Sequence, residues 1–97
     1  MIKITFFTKI NSKKVVFIMI GRILRNIRKI NKQTQEQIGK ELNLAENTIS
    51  NYETEYSNPT FDTILKFVNV CDFDIQFVDK KTKKVYTIKE LSKEMDF

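Results

Sequence analysis

Any chemistry in this chain must proceed without histidine, because its 97 residues include no His, no Trp and a single Cys. A Ser-His-Asp or Cys-His catalytic set is therefore impossible, as is a Cys/His zinc site. Acid–base work would fall to carboxylates or lysines, and none is clustered in a recognisable way. The sequence thus predicts no enzyme activity, no metal and no cofactor. Cys71, set inside an apolar helical pattern, reads as a buried thiol of a reducing, cytoplasmic protein rather than a reactive one. What remains is binding chemistry, carried by charge and by side-chain amides and hydroxyls.

Charge is unevenly spread. Lys and Arg number 17 against 12 Asp and Glu, for a net +5. Residues 1–35 carry +9, residues 36–78 carry −6 and residues 79–97 carry +2. A positive surface built partly from the N-terminal third suits nucleic acid or an anionic membrane surface. A membrane span is excluded by length, since the longest apolar run, Val15 to Gly21, is far short of the ~20 residues required. No clear signal peptide is present, because Lys9, Lys13 and Lys14 interrupt the apolar stretches.

These groups must be positioned by three zones. In residues 1–19, Ile-Lys-Ile-Thr-Phe-Phe-Thr and Val-Val-Phe-Ile-Met flank a polar break at Lys9 to Lys14. The zone reads either as a β-hairpin or as a basic extension loosely tied to the fold. Residues 20–72 are helical. Ile20, Ile23, Leu24, Ile27 and Ile30 mark an amphipathic first helix with a basic outer face. Thr34 is placed to cap a second helix, Gln35 to Leu42, with Gln37 completing a capping box. Asn43 suits a left-handed turn. A third helix runs from Ala45 or Glu46 to Glu53, with Ile49 and Tyr52 inward. Pro59 is predicted to open a fourth helix with a stripe of Phe61, Ile64, Leu65, Val68 and Cys71. Residues 73–97 change to alternating periodicity: Phe73, Ile75 and Phe77, a lysine-rich turn, then Val85 to Ile88, which together read as a hairpin. A short helix over 89–95 follows.

Two short helices joined by a three-residue turn have helix-turn-helix geometry. The run Thr34-Gln35-Glu36-Gln37-Ile38-Gly39-Lys40-Glu41-Leu42-Asn43-Leu44-Ala45-Glu46-Asn47-Thr48-Ile49-Ser50-Asn51-Tyr52-Glu53, with Pro59 six residues on, resembles the Xre/Cro-type (lambda-repressor-like) helix-turn-helix family. The resemblance spans about Ile20 to Cys71. It implies an α+β protein: a four- to five-helix lambda-repressor-like domain with a C-terminal β-hairpin and a possible N-terminal one. Gly39 stands where the family usually has Ala and where the second and third helices approach. The resemblance also implies a structural ion pair, Arg28 with Glu53. Two departures leave the ends of the third helix open: Ala45 replaces the usual Ser or Thr cap, and Glu55 stands where Gly is frequent.

The resemblance puts Glu46, Asn47, Ser50 and Asn51 on the base-reading face, since the second helix of the motif enters the major groove. Asn pairs with adenine, and Glu accepts from the cytosine amino group. Glu46 serves equally well to oppose the positive helix end. Phosphate contacts are expected from Gln35 at the start of the second helix and from Thr48, Lys29, Lys32, Tyr56 and Asn58. Arg22 and Arg25 read as readily as a solvated face.

A lone hairpin presents an edge that needs a partner. Either the N-terminal strands join it or a second subunit does, and a homodimer would also match two half-sites. The function expected is a sequence-specific double-stranded-DNA-binding transcriptional regulator, a dimeric repressor. The alternative is an antitoxin-type module that binds a protein partner and autoregulates through its helix-turn-helix.

Overall fold

The computed structural model describes residues 20–94 together with the backbone of residues 2–5. Its elements are β1 (Ile2–Thr5), α1 (Ile20–Ile30), α2 (Gln35–Leu42), α3 (Glu46–Glu53), α4 (Phe61–Val70), β2 (Phe73–Val78), β3 (Val85–Thr87) and α5 (Ile88–Leu91). The helical domain and the C-terminal strand pair are those the sequence implies. The second strand of the expected N-terminal hairpin lies outside the described residues.

Local signals set the helix ends. Thr34 Oγ1 accepts from the Gln37 N–H at 3.1 Å while Gln37 Oε1 accepts from the Thr34 N–H at 2.8 Å, closing the capping box that starts α2. Both α1 and α2 end in a left-handed residue, Lys32 (φ 55°) and Asn43 (φ 57°). At each end the next N–H reaches back to the last turn: Gln33 N to Arg28 O at 3.1 Å, and Leu44 N to Gly39 O at 2.8 Å. These are Schellman closures, which satisfy carbonyls the helix leaves open.

Two boundaries differ from expectation. α4 begins at Phe61 rather than Pro59, because Thr60 is its cap and accepts from the Thr63 N–H at 3.2 Å. A side-chain acceptor fixes the first turn, whereas Pro59 only restricts the approach to it. The last helix starts at Ile88 and ends at Leu91 rather than spanning 89–95. Thr87 and Glu90 form a second capping box there, and the Ser92 hydroxyl donates to Ile88 O at 2.7 Å.

The core joins the helical zone to the C-terminal strands. Leu24 and Ile27 of α1, Ile38 of α2, Ile49 of α3, Phe67 and Val68 of α4, Cys71, and Phe73 and Ile75 of β2 are buried together. Ile30 and Phe61, expected inside, are 58% and 51% exposed. Each lies at the edge of its stripe near a helix end. At 100° per residue Ile30 has drifted off the arc of Leu24 and Ile27, and Arg28 takes the inward place. Phe67, outside the predicted stripe, is fully buried.

The sheet order is β1-β2-β3. β1 runs parallel to β2, with Ile2 opposite Phe73 and Thr5 opposite Gln76, and β3 is antiparallel to β2, with Gln76 opposite Thr87. A parallel pair requires a long crossover, and here the four helices of the domain lie within it. β1 therefore occupies one edge of β2 within the same chain, and among the described residues no strand pairs with the outer edge of β3.

Candidate nucleic-acid interface

The turn between α2 and α3 is held at its tightest point by Gly39. A Cβ there would lie 2.6 Å from Leu44 O, closer than side chains tolerate, and 3.5 Å from Glu46 N. The close approach is thus to the turn backbone leading into α3 rather than to the body of that helix. Glycine spares the turn this contact. Ala45, the N-cap of α3, is extended (φ −64°, ψ 146°) and makes no side-chain cap bond. Glu46 in the first turn supplies negative charge where the helix is positive.

Along α3, Ile49 and Glu53 point inward and are buried. Glu46, Asn47, Ser50 and Asn51 fall at i, i+1, i+4 and i+5, and so share a face. Glu46 and Asn47 are exposed, Ser50 and Asn51 half-buried. Among the described residues none of these four side chains makes a hydrogen bond or ion pair within the protein. This face has donors and acceptors to offer and no internal use for them.

The C-terminal end of α3 is pinned. Arg28 Nε donates to Glu53 Oε2 at 2.6 Å and Nη2 donates to Oε1 at 2.9 Å, a bidentate pair with the Glu53 side chain 1% exposed. Arg28 Nη1 also donates to Gln33 O at 2.8 Å, fastening the α1–α2 turn. The Glu53 carboxylate raises the Arg28 pKa above its ordinary value, chiefly through these hydrogen bonds, against the opposing effect of burial. The expected pair is thus in place, and it sets the position of α3 against α1.

Gln35 makes a bond within the protein that the sequence does not announce. Its Nε2 donates to Glu53 Oε1 at 3.1 Å, tying the start of α2 to the end of α3. Thr48 is half-buried beside the polar face. Lys29 and Lys32 are exposed at the end of α1 and in the turn before α2, while Tyr56, 84% exposed, and Asn58 lie on the α3–α4 loop. These four flank the helix pair along the chain. Gly21 has a role that sequence reasoning missed: a Cβ there would collide with Tyr52 O and lie 2.8 Å from Glu53 O, so α1 rests directly on the backbone that ends α3. Its only sequence signal is a glycine inside a helical pattern.

Cys71 is buried, and its thiol faces Gln33 Oε1 at 3.7 Å. Burial pushes the thiol up to about 11. Among the described residues no group of three or more acidic or Cys side chains could hold a metal, and no helix is long and apolar enough to cross a membrane.

The comparisons with known proteins agree with this geometry. The family described as Helix-turn-helix matches residues 24–78. The chain is 32% identical over 68 residues to the HTH-type transcriptional regulator ImmR of Bacillus subtilis (strain 168), an alignment covering 67% of this chain and 54% of ImmR, so the chain spans about half the length of that relative. Two solved structures share the fold at 23% identity and a TM-score of 0.56. One is described as MDT Protein and the other as a complex of a HipB variant with an O2 20mer. Each match covers 70% of this chain, with 99% and 97% of the respective structures. With more than half of its length matched and its capped helix pair closed by the Arg28–Glu53 bridge, the chain belongs to the Xre/Cro-type (lambda-repressor-like) helix-turn-helix family.

Proposed function

We propose that this protein is a sequence-specific, double-stranded-DNA-binding transcriptional regulator that acts as a repressor and as a homodimer. The observation that carries the reading is the face of Glu46, Asn47, Ser50 and Asn51, polar and, among the described residues, without partners, on a helix whose last residue is fixed in a buried ion pair. A rigid helix with unspent amides is what base readout in the major groove requires. Family membership, the likeness to a protein named a transcriptional regulator and the likeness to a structure named as a 20mer complex support it. Gln35, Thr48, Lys29, Lys32, Tyr56 and Asn58 are assigned to phosphates, Gln35 while still bonded to Glu53. The protein works in the cytoplasm and is not an enzyme.

The outer edge of β3, unpaired among the described residues, favours a protein contact, and Val85 of β3 and Leu91 of α5 are each 42% exposed. A second copy adding its strand there would pair two reading heads with two half-sites. The same edge also suits the antitoxin-type alternative, in which a different protein docks. Selection of bound sequences from a random duplex pool, with mass measurement of the complex, tests these readings together. A symmetric operator bound by two copies supports the regulator. Failure to enrich any sequence overturns it.

A further inference from the structure

We infer that Arg22 and Arg25 bind a DNA phosphodiester in a cleft between α1 and the α2–α3 pair, a role that rests on the DNA-binding reading above. The cleft has a volume of about 400 Å³ and is lined by Arg22, Arg25, Gln35, Glu53, Thr54 and Glu55. Its geometry follows from Gly21, whose lack of a Cβ lets α1 settle onto the carbonyls of Tyr52 and Glu53. Arg22 and Arg25, three residues apart, then share the side of α1 that faces the end of α3 and the start of α2. Both are exposed.

The charges in the cleft are unequally spent. Glu53 is fully engaged, accepting two hydrogen bonds from Arg28 and one from Gln35. Among the described residues neither Arg22 nor Arg25 has a carboxylate within 4.0 Å. Two guanidinium groups thus face one remaining carboxylate, Glu55, in a cleft that also offers the Gln35 amide. Arginine presents a planar fork of donors that matches phosphate oxygens. The position suits a duplex as well: Gln35 is the first residue of α2, and the first helix of a helix-turn-helix crosses the DNA backbone.

A purely structural role for these arginines is the neutralisation of the negative end of α3, and it has a different signature. The test compares the parent protein with the double variant R22Q/R25Q on a duplex selected by the parent and on a random duplex, over a series of salt concentrations, with thermal unfolding measured alongside. The cleft assignment requires roughly tenfold weaker binding to both duplexes and a slope of log affinity against log salt shallower by about 0.9, for one phosphate no longer neutralised. The melting temperature stays at the parent value, and R22K/R25K recovers the slope. Parental affinity and slope in R22Q/R25Q overturn the assignment, as does a lowered melting temperature with an unchanged slope. If the parent enriches no duplex at all, the DNA-binding reading falls and takes this assignment with it. If the parent binds and the variant matches it, only the arginine assignment falls.

Discussion

Gln35 and Glu53, eighteen positions apart, are joined by a 3.1 Å hydrogen bond that links the first residue of α2 to the last of α3. Because Glu53 also holds Arg28 in two hydrogen bonds, one carboxylate fixes three elements: α1, α2 and α3. The end of α3 is thereby held by a buried carboxylate that also ties down α1 and the start of α2.

Replacing Glu53 by Gln keeps the shape and removes the charge. Arg28 stays protonated, since its pKa lies above an already high ordinary value, and its guanidinium is left without a counter-charge in a site only 11% exposed. The expected loss is about 3–5 kcal/mol of folding stability, read from urea unfolding. A loss below about 1 kcal/mol would mean the pair behaves as a surface bridge.

Base readout and backbone grip separate under mutation. Asn51→Ala should weaken binding to the selected duplex by about 1–3 kcal/mol and leave random duplex nearly unaffected. Equal losses on both would remove Asn51 from the reading face. Lys32 tests the other class, but its left-handed backbone (φ 55°) restricts the choice of substitute. Lys32→Asn tolerates that conformation while removing the charge. It should lower affinity on all duplexes and flatten the salt dependence by about 0.9, and an unchanged slope would exclude the phosphate contact.

The elements that follow from local signals are legible in the sequence. The Thr34–Gln37 capping box, the left-handed Asn43 and the inward Ile49 follow from residue type and local spacing, because each depends on residues within a turn of one another. What is not legible depends on distant partners. The parallel pairing of Ile2 with Phe73 bridges the whole helical domain, and no local pattern encodes it. The Gln35–Glu53 bond and the contact of Gly21 with the end of α3 arise only once α1 and α3 have met. The start of α4 departs from the sequence reading for a different reason. Pro59 and Thr60 are both helix-start signals, and the hydroxyl that satisfies an open N–H outranks the ring that merely restricts φ.

Glu55 carries a cost that can be measured. It sits at φ 64° just beyond α3, where the family frequently places glycine and where a side chain crowds the left-handed backbone. Glu55→Gly should stabilise the fold by roughly 0.5–1 kcal/mol. Glu55→Ala keeps the crowded Cβ and should give no such gain, so matched gains in both variants would assign the effect to the carboxylate instead of the backbone.

Cys71 gives the domain a defined alkaline limit. Burial is the main cause that pushes its thiol from 9.0 up to about 11, with the Arg28 charge pulling the other way. The raised value belongs to the folded state, so the folded thiol keeps its proton where the unfolded one has lost it. This contribution to stability is therefore fully present below about pH 9, and it disappears as pH rises through the folded value near 11. Its full size is at most roughly 2–3 kcal/mol. Urea midpoints measured from neutral pH to about pH 11 should fall more steeply for the parent than for Cys71→Ala. The variant loses packing at every pH but has no thiol to titrate, so parallel curves for the two proteins would show that Cys71 does not carry the dependence.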